Sequence, residues 1–201
     1  MSELQRWEQR FAAPGYWFGK TPNAFLAAQA YRLKAGHKAL ALADGEGRNG
    51  VFLAEHGLDV ISLDFSPTAG AKAQALAAER GVRISTIQAD LLAWDWPIEA
   101  FDVVVAIFVQ FAGPALRKRM FDGIKQALRP AGLLLMQGYR PEQLAYRTGG
   151  PGQVENLYTR ALLKQAFGDL TILELREHDS EVHEGTGHNG MSALIDLVAQ
   201  K

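Results

Sequence analysis

The sequence predicts an α/β fold: a doubly wound, seven-stranded sheet, mostly parallel, closed by a C-terminal antiparallel hairpin. Three observations carry this. Short β-branched or apolar runs alternate with helical patterns from residue 39 to residue 137, the order that builds parallel βαβ units. The run Phe101-Asp102-Val103-Val104-Val105-Ala106-Ile107-Phe108-Val109 is apolar on both pleat faces, as in a central strand covered by helices on both sides. The last two strand-like runs, Leu170 to Glu177 and Ser192 to Ala199, have no helix between them, so they pair antiparallel.

Composition sets the outer bounds. The chain has 201 residues, 48% of them apolar, enough for one sizeable core. It has no cysteine, which excludes disulfides, thiolate metal sites and a cysteine nucleophile, and fits a reducing cytoplasm. With a formal net charge of −1 and no long basic run, a nucleic-acid partner is not expected. The longest apolar run, Val103 to Val109, falls far short of the roughly 20 residues that span a bilayer. Residues Met1 to Arg10 lack the basic-then-apolar order of a signal peptide. These features predict a cytoplasmic protein with no membrane partner, monomeric or weakly dimeric.

Two segments are expected, residues 1–37 and 38–201. The first holds Trp7, Phe11, Tyr16, Trp17 and Phe18, broken by Pro14-Gly15, Gly19 and Pro22. Such aromatics either staple an N-terminal helix to the core or form a lid over a pocket. Asn23 can cap a helix running to about Lys34, with Gly36 as its stop.

The second segment opens with the apolar run Ala39 to Ala43, which breaks into Asp44-Gly45-Glu46-Gly47-Arg48-Asn49-Gly50. This reads as strand, tight turn and helix, with Gly57 ending the helix. The strand Asp59 to Asp64 follows, then Ser66-Pro67 as N-cap and first turn of a helix to Arg80, with Gly81 beyond. A third strand, Arg83 to Gln88, leads into Ala89-Asp90-Leu91. After the central strand, Leu116, Met120, Ile124, Ala127 and Leu128 keep helical spacing from Pro114. Arg129-Pro130-Ala131-Gly132 turns the chain into a fifth strand, Leu133 to Gln137. A long irregular segment, Gly138 to Asn156, carries Tyr139, Arg140 and Tyr146; such loops are usually functional. A short helix from Thr159 to about Gly168 precedes the terminal hairpin, whose strands are joined by the polar stretch His178 to Gly190.

Gly45-Glu46-Gly47-Arg48-Asn49-Gly50 satisfies G-x-G-x-x-G, and Asp64 lies about 20 residues on at the end of the second strand. That spacing places a ribose against the Asp64 carboxylate, which can accept both hydroxyls. Charge bears on what the ribose carries. A pyrophosphate wants N–H groups and cations, whereas Asp44 and Glu46 flank Gly45. S-Adenosylmethionine brings a sulfonium and an ammonium beside one carboxylate, which could meet a backbone N–H or Arg48.

These residues carry a family resemblance. The Gly45-x-Gly47 turn, Asp64, Ala89-Asp90-Leu91, Phe101-Asp102-Val103-Val104 and Leu128-Arg129-Pro130-Ala131-Gly132-Leu133 follow in the order of a class I S-adenosylmethionine-dependent methyltransferase, a Rossmann-like fold. Within it, Gly15-Tyr16, Phe18-Gly19, Thr21-Pro22-Asn23-Ala24-Phe25-Leu26, Gly45-Glu46-Gly47-Arg48-Asn49 and His183-Glu184-Gly185 with His188 are similar to the tellurite-resistance (TehB-like) group of small bacterial enzymes. The superfamily turn commonly reads acidic-x-Gly-x-Gly, but here Ala41 stands at the acidic position and Ala43 at the first glycine. Asp44 or Glu46 is expected to take over the missing acid's role. Ala131 replaces a common glycine, which asks for φ below zero there.

The resemblance implies S-adenosyl-L-methionine as cofactor and a small-molecule methyl acceptor, such as a thiol or a chalcogen oxyanion. It places the cofactor against Asp44, Gly45, Glu46, Gly47, Arg48, Asn49, Asp64, Phe65, Asp90, Leu91, Ile107 and Phe108. Tyr16, Phe18, Tyr139, Arg140 and His183 are expected near the acceptor. A soft anionic nucleophile needs no general base; for other acceptors His183, His188 and Tyr139 are the candidates. Two loop histidines make no metal site, and none is expected. A nicotinamide-dependent oxidoreductase and a non-catalytic binding protein of the same fold are the alternatives.

Overall fold

The computed structural model describes residues 2–201. Seven strands form one sheet in the order β3-β2-β1-β4-β5-β7-β6, defined as follows. The chain divides into two compact units: one runs through Trp94 and includes Glu184–Gly187, the other comprises Asp95–His183 and His188–Lys201.

The first unit begins with α1 (Glu3–Phe11), started by a capping box in which Ser2 and Gln5 serve each other's backbone N–H groups. α2 (Ala24–Ala28) is capped by Asn23, which accepts from Leu26 N at 3.0 Å. The helix expected to reach Lys34 is therefore short, and only a 3₁₀ turn at Ala30–Arg32 continues it. Strand β1 (Lys38–Leu42), helix α3 (Arg48–Glu55), strand β2 (Asp59–Asp64), helix α4 (Pro67–Glu79) and strand β3 (Ser85–Gln88) complete the unit. β2 lies parallel to both β1 and β3, with Leu42 opposite Leu63 and Asp64 opposite Gln88. In-register parallel strands bring the ends of β1, β2 and β3 to one edge, where Asp64 ends β2 and the loops after β1 and β3 carry Asp44 and Asp90. Leu40, Leu53, Leu63 and Leu76 fill the core between sheet and helices.

The second unit contains β4 (Phe101–Ile107), α5 (Pro114–Ala127), β5 (Leu128–Tyr139), α6 (Gln143–Tyr146), α7 (Arg160–Phe167), β6 (Thr171–Glu184, its last residue outside the unit) and β7 (His188–Gln200). β5 pairs parallel to β4 and antiparallel to β7. Three expectations are corrected. The hairpin strands run much further than Glu177 and back beyond Ser192, leaving only a tight tip, because backbone pairing overrides the polar composition of His178 to Gly190. The segment after Tyr139 is not wholly irregular, since it holds α6 and a 3₁₀ turn at Val154–Asn156. Ala131 departs from the expected negative φ and sits at +63°. Its N–H donates to Lys201 O and Lys201 N to Gly132 O, so the C-terminus holds the turn in that shape. Among the described residues no helix is long and apolar enough to cross a membrane.

Candidate functional site

The turn after β1 is a left-handed chain reversal. Ala43, Gly45 and Gly47 all have positive φ, at 45°, 56° and 87°, so the strand-to-helix connection needs three residues in a region that side chains disfavour. Gly47 N donates to Asp44 O, and Val51 N to Gly47 O starts α3. A Cβ on Gly47 would lie 2.5 Å from the Ala73 Cβ of α4. Glycine at 47 is thus required both by φ and by the close approach of the helix.

Asp44 turns inward. Gly50 N donates to its two oxygens at 3.1 and 3.2 Å, and Ser62 Oγ donates at 2.7 Å. Its carboxylate occupies the space a side chain would need at 50, since a Cβ there would meet Asp44 Oδ2 at 2.4 Å. Burial pushes the Asp44 carboxyl up to about 7, against the hydrogen bonds from Ser62 and Gly50 that favour its anion.

Asp64 accepts from Gly45 N and from Ser66 N, each at 2.9 Å. Burial raises its carboxyl above the usual range, opposed by these backbone N–H groups. Two donors leave lone pairs on both oxygens. Phe65, half-buried, follows it, and Leu91 is buried beyond β3. Asp90 is exposed and folds its carboxylate onto Leu92 N at 2.9 Å. A cavity of about 260 Å³ is lined by Ser62, Asp64, Ser66, Gly70, Gln74 and Thr86.

The N-terminal segment lies on this turn. Phe11 is the nearest neighbour a Cβ on Gly45 would meet, at 3.5 Å. Trp17 N donates to Glu46 at 2.6 Å, and Lys72 of α4 donates to the same carboxylate at 2.8 Å while also reaching Ala13 O and Gly15 O. Tyr16 places its hydroxyl on Lys72 O. Glu8 accepts from Ser66 Oγ, Thr68 N and Thr68 Oγ1; burial pulls its carboxyl upward, but these bonds prevail and hold it below the ordinary value. Asn49 accepts from Asn23 N, while Asn23 Nδ2 and Arg48 Nη2 both donate to Glu184 at the hairpin tip, at 2.9 and 2.5 Å. Phe18 stands 5.9 Å from the Arg48 guanidinium, beside Gly187. Arg48 Nη1 is buried without a hydrogen-bond partner.

The pairing alters the charge argument made from sequence. Glu46 is offset by Lys72, and Arg48 by Glu184, so the turn is less negative than its bare residue types suggest. Glu8, Ser62 and Lys72 were missed because their roles depend on partners about 20 to 60 residues distant. Asn23 was legible only as a helix cap and as part of a motif. Glu184 stood out only as part of a motif.

In the second unit Ile107 ends β4 and Phe108 follows at φ 57°. The Phe108 ring stacks on Tyr139 at 4.6 Å between centroids and meets His188 edge-on at 4.4 Å. Leu157, Val182 and Leu194 pack around Tyr139. Tyr139 N donates to Gln110 Oε1, fixing the backbone at the end of β5. His188 thus joins an aromatic cluster, whereas His183 is exposed and lies against Asn189 and Glu181. Arg140 is held by Asp179 and by Glu142. A network that sequence did not reveal crosses the sheet: Asp196 accepts from Gln137 at 2.7 Å and lies 2.9 Å from His178, whose other ring nitrogen meets Ser180. Among the described residues no group of three or more His, Cys, Asp or Glu side chains could hold a metal ion.

Residues 39–132 match the family described as a methyltransferase domain. A demethylmenaquinone methyltransferase of Thermus thermophilus is 31% identical over 132 residues, covering 65% of this chain and 58% of that protein. Among solved structures, TehB from Haemophilus influenzae is similar at TM-score 0.72 and 20% identity, over 89% of this chain and 62% of that one. The N-methyltransferase NodS from Bradyrhizobium japonicum, solved with S-adenosyl-L-homocysteine, is similar at TM-score 0.73 and 18% identity, over 98% and 97%. The domain match supports a methyltransferase resemblance over residues 39–132, and these neighbours bear out the expected fold.

Proposed function

We propose that this chain, whose residues 39–132 match the methyltransferase-domain family, binds S-adenosyl-L-methionine on the turn after β1 and transfers its methyl group to a small molecule. The observation that carries the reading is Asp64: its carboxylate is fixed by Gly45 N and Ser66 N beside the glycine turn, with lone pairs left for two ribose hydroxyls. The other residues of the turn fit the same ligand. Gly45 and Gly47 present backbone without side chains, and the buried, unpartnered Arg48 Nη1 suits the cofactor's carboxylate. Leu91 and Phe65 offer apolar surface to an adenine. Asp90 already serves Leu92 N, so its second oxygen is what remains for the adenine amino group.

When bound, the cofactor supplies an electrophilic methyl group. The chain's own task is then to align the nucleophile and exclude water. Residues 2–37 act as a cover: Phe11, Tyr16, Trp17 and Phe18 close over the turn through the contacts with Gly45, Lys72, Glu46 and Gly187. Within the second unit, the Phe108, Tyr139 and His188 cluster is an apolar wall of a kind that suits a small acceptor. A thiolate or a reduced chalcogen anion suits such a wall because it needs no strong base. His183, being exposed, is a weaker candidate for a base than His188.

Calorimetric titration with S-adenosylmethionine tests the cofactor, with Asp64→Ala expected to weaken binding by about tenfold or more, the worth of a hydrogen bond to a charged group. Full affinity in that variant would overturn the ribose assignment. An acceptor screen with labelled cofactor, comparing small thiols, chalcogen oxyanions under reducing conditions and cell extract, then identifies the class of acceptor.

A further inference from the structure

The acid missing from position 41 has a counterpart three residues on, and its placement is unlike that of a ligand-facing carboxylate. Asp44 is 7% exposed, receives Gly50 N from the first turn of α3 and Ser62 Oγ from β2, and fits only because residue 50 has no side chain. It therefore ties the two ends of the glycine turn to the sheet from beneath. Glu46, the other acid of the turn, is taken up by Trp17 N and Lys72.

Resting on the cofactor reading above, we propose that Asp44 is a positioning residue of the methyl-transfer site that holds the turn in shape and, through its charge, favours the cationic methyl donor over its neutral demethylated product. The donor carries a sulfonium, an ammonium and a carboxylate, a net charge of +1; loss of the methyl group leaves a thioether and a net charge of zero. An anionic Asp44 beneath the turn attracts the first and is indifferent to the second, and the attraction is strong because the carboxylate is desolvated. Both protonation states keep the same contacts: the anion accepts from Gly50 N and Ser62 Oγ, and the acid accepts from Gly50 N while its own hydroxyl meets Ser62. Protonation thus changes charge without changing the fold of the turn.

The surroundings set where the proton moves. Asp64 on β2 raises the Asp44 carboxyl and Arg48 on α3 lowers it, alongside burial, which is the largest influence. Glu46 in the same turn is paired with Lys72 of α4, Arg48 with Glu184 of the hairpin tip, and Glu8 of α1 is bound to Ser66 and Thr68 beyond Asp64. Asp44 is the acid in this set whose shift to about 7 falls in the working range of pH. Binding of a cation should pull its proton off, by linkage.

The test is calorimetric titration of the full chain with S-adenosylmethionine and, separately, S-adenosylhomocysteine between pH 5.5 and 8.5. The wild type, Asp44→Asn and Ser62→Ala are compared, each first shown to be folded by circular dichroism. Asparagine keeps the acceptor for Gly50 N and stays neutral. The expected result is that wild-type affinity for the methyl donor rises about tenfold from the acid to the basic limit, the size expected of one charge interaction near a protein surface. Asp44→Asn should hold the acid-limit affinity at every pH. Ser62→Ala, which removes a bond that favours the anion, should move the midpoint to higher pH. The homocysteine form should lose the Asp44-dependent part of the profile. Identical pH profiles for the wild type and Asp44→Asn, or an unmoved midpoint in folded Ser62→Ala, would overturn the proposal while leaving the cofactor reading intact. Absence of binding by the wild type at every pH would remove both.

Discussion

Arg48 Nη2 donates to Glu184 Oε2 at 2.5 Å, joining the first residue of α3 to the tip of the β6–β7 hairpin with both side chains more than nine-tenths buried. Asn23 adds a second donor to the same carboxylate and passes its own N–H to Asn49. The pair therefore bonds the covering segment, the glycine turn and the hairpin tip into one network.

A buried pair is costly to break from one side, because the remaining charge stays out of water. Glu184→Ala should lower unfolding free energy by about 3 kcal/mol or more in urea titrations, and Arg48→Met by a similar amount. The double variant should lose clearly less than the two single losses added together, since it leaves no lone charge. Additivity of the two would show that the ion pair carries no coupling energy.

Asp44 predicts a pH dependence of stability as well as of binding. Its carboxyl holds a proton more tightly in the fold, at about 7 against an ordinary 3.8. The native state therefore binds more protons than the unfolded chain between those values, and this group's contribution to stability falls as pH rises through that window. Asp64, raised in the same direction by burial, steepens the lower part. Glu8, held below its ordinary value, opposes it at the acid end, its stabilising effect present at neutral pH and lost on acidification. In thermal melts from pH 4.5 to 8, Asp44→Asn should flatten the decline and match or exceed the wild type at pH 8. A steeper decline in the variant would contradict the assignment.

The sequence was most informative where one residue type answers to one local demand. Gly45 and Gly47, the Ser66-Pro67 helix start and the doubly apolar Phe101–Ile107 strand each follow from backbone chemistry that needs no partner. The site was less legible because it is assembled from distant groups. Glu46 reads as a free negative charge until Lys72 and Trp17 are placed on it, and Asp44 reads as a cofactor-facing acid until Ser62 and Gly50 close around it. The long hairpin was hidden for a related reason: the residues from His178 to Gly190 are polar because that edge strand is half-exposed, while their pairing is decided by the neighbouring strand.

Gly47 carries two independent demands, a φ of 87° and contact with Ala73. Gly47→Ala should cost about 2–4 kcal/mol, combining left-handed strain with overpacking against α4. It should also abolish detectable cofactor binding, because the helix must move where the turn is read. Adding Ala73→Gly relieves only the steric part, so the double variant should recover a fraction of the stability in urea unfolding and remain weaker than wild type. Full recovery would mean that the backbone strain at 47 is negligible.

Ala43 and Ala131 both stand at positive φ, 45° and 63°. An L-side chain there costs roughly 1–2 kcal/mol, partly offset in any comparison with glycine by glycine's freer unfolded chain. Ala131→Gly, at an exposed turn held by Lys201, should therefore raise unfolding free energy by about 0.5–1 kcal/mol and leave cofactor affinity unchanged. Ala43→Gly should stabilise by a similar amount, but it sits next to Asp44 within the turn. Loosening that backbone should weaken the hold of Asp44 on Gly50 N, so affinity should fall although stability rises. Paired urea titrations and calorimetry on the two variants separate these effects: the same substitution raises stability at both places and lowers binding at only one.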